Sequence, residues 1–176
     1  MKPLRALAPL SLILGLAASA SATVMIRASV EKLAAESELV VVGTVVEAEP
    51  QDGGPRGEGG IYTRVELSVD EVWRGATDGP VTFWVHGGRV GDRAMRTHGQ
   101  ATFEPGERVL VFLDDAGGAL FPTNMSQGKW TLDGDSARSR AEAGALVTRE
   151  GDRLTGAAPL APMPLSELRA RVRSVR

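Results

Sequence analysis

The sequence predicts a mainly β protein: a small, strongly twisted barrel of about five strands with a short helix near each end. β-Branched runs of strand length recur between Gly-rich turns from Glu38 onward. One of them, "IYTRVELSVDEVWRG", alternates cleanly, with Tyr62, Arg64, Glu66, Ser68 and Asp70 on one face and Ile61, Thr63, Val65, Leu67 and Val69 on the other. Helical spacing is confined to two short segments that flank the strands. A β-sandwich is the runner-up architecture.

In chain order, "SVEKLAAES", Ser29 to Ser37, places Val30, Leu33 and Ala34 on one face with Ser29 as N-cap, which predicts a short helix. "ELVVVGTVVEAEP", Glu38 to Pro50, predicts a buried strand bending at Gly43. "QDGGPRGEGG" is polar and Gly-rich, and reads as a mobile hairpin loop. The alternating strand follows, and its register change at Asp70-Glu71 predicts a bulge or bend before Gly75. "VTFWVHGG" predicts a third strand ending at Gly87 and Gly88. "FEPGERVLVFLDD" has a Pro-Gly turn and then a strand apolar on both faces, as a central strand requires. "SQGKWTLDGD" and "ALVTREGDRLTG" predict further short strands, the latter a hairpin turning at Glu150-Gly151-Asp152. The tail "PLSELRARVRSVR" puts Leu165, Leu168 and Val172 on one helical face.

Residues 1–22 read as a signal peptide: Lys2 and Arg5, an apolar run from Leu7 to Ala18, and Ala20-Ser21-Ala22 as the cleavage signal. The run is too short to span a bilayer, so the mature chain is expected to start at Thr23 with no transmembrane segment and to be exported, periplasmic or extracellular. Loss of Lys2 and Arg5 moves the formal charge from −2 to −4, which speaks against nucleic acid as a partner. The remaining chain is long enough for one cooperative core. The expected organisation is a barrel domain over 23–135 and a hairpin and helix over 136–176, packed on or appended to it. The chain has no cysteine, which excludes disulfides, zinc-thiolate sites and cysteine nucleophiles. Abundant Ala, Arg, Gly and Val with rare Lys resembles the composition of high-GC bacterial proteins.

No G-x-S-x-G, H-E-x-x-H or P-loop pattern occurs. Asp133 and Asp135 open an acidic turn, but Arg138 stands where a calcium loop needs glycine. Asn124-Met125-Ser126 matches a glycosylation acceptor, a pattern common by chance. The stretch "HGGRVGDRAMRTHG" holds both histidines, His86 and His98, with Asp92 between them. Imidazole ligates metals and titrates near neutrality, yet twelve residues of loop spacing set no common face, so strand-end and surface roles are expected for both. Trp73, Trp84 and Trp130 fit core or barrel-end packing better than a sugar platform. No nucleophile, base and orienting group can be assembled. A non-enzymatic protein without metal or cofactor is therefore expected.

The order "SELVVVGTVVE", "IYTRVELSVDEVWRG", "VTFWVHGG", "GERVLVFLDD" resembles the OB-fold module of the netrin-like family, which includes the tissue inhibitors of metalloproteinases. The twin glycine Gly87-Gly88, the F-x-x-G-E element Phe103 to Glu107 and the Q-G-K element Gln127 to Lys129 are also similar to a set of exported bacterial proteins. The resemblance implies a Greek-key OB barrel. It further implies that Thr23, by its free α-amine and carbonyl, and Val24, by its side chain, engage a secreted zinc metalloprotease. The family pins this segment with cysteines at the first and third residues; here these are Thr23 and Met25, so Gly87 and Gly88 are expected to permit close backbone approach to Thr23–Met25 instead. The functional expectation is a secreted protein-binding module, with protease inhibition as its sharpest form. The alternative is a non-inhibitory envelope or secreted protein that binds a glycan, a small ligand or a partner protein.

Overall fold

The computed structural model describes residues 24–142 and 145–175; the expected signal peptide and Thr23 lie outside them. The short first helix, α1 (Val30–Glu36), starts at Ser29, whose side chain accepts a hydrogen bond from the Lys32 amide, and it buries Val30, Leu33 and Ala34. Two long strands follow, β2 (Leu39–Asp52) and β3 (Ile61–Arg74), paired antiparallel. β4 (Val81–His86) pairs with β3 on its other side, and β7 (Arg108–Asp115) pairs with β2.

Three register shifts punctuate the β2–β3 ladder, leaving Trp73, Asp70 and Val46 as extra residues. The irregularity at Asp70 falls where the alternation of β3 changes register. Gly43 sits at that same point, where β3 crosses so closely that any side chain on residue 43 would collide with the Ser68 carbonyl oxygen. Bulges and a glycine on one long hairpin increase local twist, and the antiparallel sheet curls into a half-barrel.

The main sheet has eight strands, more than the five or so expected. The increase comes from the C-terminal half. β8 (Leu120–Pro122) returns along β7, while β9 (Lys129–Asp133), β10 (Ser136–Ser139) and β13 (Met163–Pro164) extend the sheet beyond β7. Asp133 and Asp135 flank the tight β9–β10 turn, in which Gly134 has φ 53°. Two smaller sheets accompany it: the hairpin turning at Gly151 was expected, whereas a hairpin after His86 and the pairing of an N-terminal strand were not. β5 (Gly88–Val90) and β6 (Arg93–Met95) form a hairpin within the His86–Gly99 stretch. β1 (Met25–Ile26) pairs parallel with β11 (Leu146–Glu150), which turns at Gly151 into β12 (Arg153–Gly156).

Because β2 and β7 are apolar on both faces, the sheet carries two cores. One side buries Val41, Val65, Leu67, Phe83, Val111 and Phe103 among others, with Phe83 and Phe103 edge-to-face at 4.9 Å. The other side buries Val40, Val42, Phe112 and Trp130 beneath α1 and α2 (Leu165–Arg173), the latter presenting Leu165, Leu168 and Val172. Trp73 joins this second core and Trp84 is half-buried on β4, so the tryptophans form no shared platform. No helix among the described residues is long and apolar enough to cross a membrane.

The Gly-rich segment between β2 and β3, expected as a mobile loop, is folded at its tip: the Gly53 amide donates to Gly60 O and the Gly54 amide to Glu58 O, both at 2.8 Å. Arg56 bridges Glu58 and also reaches Ala116 O, joining this tip to the turn after β7.

Arg171 of α2 grips Glu31 of α1 through two hydrogen bonds of 2.7 and 3.0 Å. Those bonds hold the Glu31 carboxyl down at about 2, below its ordinary 4.5. A depressed carboxylate contributes stability above its unfolded value and loses it as pH falls through the folded one. Both side chains are partly exposed, which limits the contribution to about 0.5–1 kcal/mol. Glu31→Gln should therefore lower stability by that amount at pH 7, and the difference from wild type should vanish as pH falls from 4.5 to about 2. Urea unfolding at pH 7, 4 and 2 measures it.

Candidate functional site

Two features stand out, and they share the loop from Gly87 to Thr102. The first is the N-terminal segment, whose backbone is held at several of its polar groups. The Met25 amide donates to Ala145 O and the Arg27 amide to Val147 O, each at 2.8 Å. The Ala28 amide donates to Gln127 Oε1 at 2.8 Å, and Gln127 Nε2 donates to Ile26 O at 3.1 Å. Gln127 is buried, so both ends of its amide are committed to this one strip of chain. Side chains alternate along the strip. Met25 points inward and is buried, while Val24 and Ile26 are 55% and 49% exposed. By strand register Ile26, Val147 and Leu154 stand on the same outer face, and Leu154 is also exposed.

Gly87 and Gly88 do not provide the close approach to this segment. Both have positive φ, 104° and 143°, and turn the chain from β4 into the β5–β6 hairpin. A Cβ on Gly88 would sit 2.8 Å from Pro50 Cβ and 2.9 Å from Thr63 Oγ1, and one on Gly87 would sit 2.8 Å from Met95 O. The contact falls to Gly99 instead: a Cβ there would lie 3.1 Å from Met25 Sδ and 3.6 Å from Met125 Cε. Met125 and its neighbour Asn124 are the non-glycine residues with positive φ among the described residues, at 60° and 51°. Such a pair costs about 1–3 kcal/mol per residue. Surrounding bonds hold it, from the Ser126 amide to Gly99 O at 2.9 Å and from Asn124 Nδ2 to Glu36 at 2.7 Å. The asparagine of the glycosylation-like triplet is thus engaged with α1.

The second feature is a polar groove made of two adjoining clefts of about 340 and 310 Å³, which share Gln100, Ala101, Thr102 and Arg140. At its floor lies Lys129, whose side chain is only 5% exposed. Its ammonium donates to Glu107 at 2.6 Å and to Thr102 O, and sits 4.5 Å from the centre of the Phe103 ring. Burial pushes the Lys129 ammonium below its ordinary range, while Glu107 opposes that shift. Thr131 Oγ1 donates to the other Glu107 oxygen at 3.3 Å and accepts from Arg140 Nε at 2.8 Å. The F-x-x-G-E and Q-G-K elements, more than twenty residues apart in sequence, therefore meet as one ion pair stacked on Phe103.

The histidines have separate surroundings. The His86 ring packs between Tyr62 at 4.6 Å and Phe121 at 5.5 Å. His98 is exposed at the groove, and Asp92 is exposed in the β5–β6 turn. No group of three His, Asp or Glu side chains among the described residues is placed to hold a metal ion.

Sequence spacing could not reveal that Gln127 and Gly99 would matter, because each acts on a segment distant in the chain. The Q-G-K element carried the one available signal, a polar residue and a lysine flanking glycine at the start of a strand. Fold and site together define a mainly β half-barrel with a pinned N-terminal strip and a polar groove. No family model, curated protein or solved structure matches this chain.

Proposed function

We propose that the chain is an exported, non-enzymatic protein-binding module that presents its N-terminal strip to a partner. The observation that supports this reading is the pairing of a fixed backbone with outward apolar side chains, Val24 and Ile26. Exposed apolar groups on a pre-ordered strip lose little conformational entropy on association. In the resembled inhibitors cysteines do this pinning; here the β11 backbone and the Gln127 amide hold residues 25–28.

The sharpest form of the proposal is inhibition of a secreted zinc metalloprotease, with Thr23 supplying its α-amine and carbonyl to the zinc and Val24 entering the specificity pocket. An OB-type ancestry of the half-barrel belongs to the same proposal.

The test is inhibition of a panel of secreted zinc proteases by mature chain starting at Thr23 and by chain carrying one extra N-terminal residue. The extension is expected to abolish inhibition, and Gln127→Ala, which releases the strip, to weaken it by about tenfold or more. Failure of the native chain against the whole panel removes the inhibitory form. Partner capture that survives the extension places binding elsewhere on the molecule.

A further inference from the structure

The groove supports a binding site of its own, independent of the N-terminal reading. We infer that it takes a small hydroxylated carboxylate, a sugar acid by chemical class, with the carboxylate seated between the Arg140 guanidinium and the Lys129 ammonium.

The positive groups are positioned but not saturated. Arg140 is tethered through Nε to Thr131, and its two terminal nitrogens have no protein partner among the described residues while it lines both clefts. Lys129 spends two of its three N–H groups on Glu107 and Thr102 O, leaving one for the cleft that it lines. The two cations lie close enough for Arg140 to disfavour the charged form of Lys129. An anion between them relieves that repulsion. The planar fork of arginine matches a carboxylate in bidentate fashion.

The surroundings select the rest of the ligand. Glu107 offsets Lys129, and Glu104 stands on the same cleft, so the site tolerates one negative charge better than the two of a phosphate. Gln100, Thr102 and Glu104 offer donors and acceptors for hydroxyl groups, and Ala101 is the one aliphatic side chain in that cleft's lining. A volume of about 340 Å³ admits a single sugar ring. Burying an ion pair gains little stability over an apolar pair of the same shape, so the position of Lys129 and Glu107 at the floor of an open cleft is better explained by a ligand than by stability.

The experiment is a titration of the full mature chain with glucuronate, glucose, acetate and inorganic phosphate, followed by calorimetry and amide chemical shifts. Glucuronate is expected to bind one site in the millimolar range, with shifts at Gln100 to Thr102 and Arg140. Glucose and acetate, each lacking half of the recognised chemistry, should bind about tenfold more weakly. Arg140→Gln should lower glucuronate affinity by about tenfold and Glu104→Gln should raise it several-fold. Both residues are exposed, so both variants should fold. Absence of glucuronate binding, equal binding of glucose, tighter binding of phosphate, or an unchanged affinity in Arg140→Gln would each overturn the proposal.

Discussion

Glutamine in place of Glu107 should destabilise the protein by about 3–5 kcal/mol, the cost of breaking a buried pair by removing one partner. The variant leaves Lys129, 5% exposed, with a neutral amide and one carbonyl as its neighbours. Loss of the Lys129 proton sets a ceiling on the penalty, since each pH unit between its ordinary 10.5 and the working pH is worth about 1.4 kcal/mol. Removing both charges in Glu107→Gln/Lys129→Met should recover most of the loss, because a methionine fills the same space over Phe103 without a charge to solvate. The pH dependence gives an independent reading. Burial already lowers the Lys129 ammonium, so below its ordinary 10.5 the unfolded chain binds more protons than the folded one. Stability from this group therefore rises with pH in that alkaline window. The window should widen toward neutrality in Glu107→Gln and disappear in the double variant. Denaturant unfolding across pH 7 to 10 measures both effects.

Gly43→Ala should cost about 3 kcal/mol or more, at the upper end of overpacking penalties. The added methyl would lie well inside contact with the Ser68 carbonyl oxygen and 3.0 Å from Leu67 Cγ. Neither neighbour has room to withdraw. Residue 43 is paired to Val69 on one side and Val109 on the other, so displacing it strains both ladders of the central strand. Gly156→Ala is the matching control. That position is exposed on β12 with nothing near the added methyl, and its effect should stay within about 0.5 kcal/mol. Chemical denaturation of the three proteins separates loss of room from the general cost of replacing a strand glycine.

Elements with a local cause were legible in the residues. Ser29 caps α1, the alternation in Ile61 to Val69 marks β3, and the doubly apolar run of β7 belongs to a central strand. The register change at Asp70 announced an irregularity because a bulge alters the sequence period itself. Leu165, Leu168 and Val172 announced the packing face of α2 for the same reason.

What escaped was pairing over distance. Nothing local says that Met25 lies beside Leu146, or that β9, β10 and β13 extend the sheet that β2 and β7 begin. The twin glycines Gly87 and Gly88 advertise a tight turn, but not which segment they pass; Pro50 and Thr63 occupy that place, and Gly99 takes the contact with Met25. Gln127 reads as an ordinary polar residue until its amide is seen to clamp backbone about a hundred positions earlier. By itself the sequence determined strands, helix faces and bends, since periodicity, capping and steric freedom are properties of neighbouring residues. The pinned N-terminal strip and the Lys129, Glu107 and Arg140 groove were decided only by the tertiary structure, because a buried charge or amide finds its partners through space, wherever the curled sheet brings distant segments together.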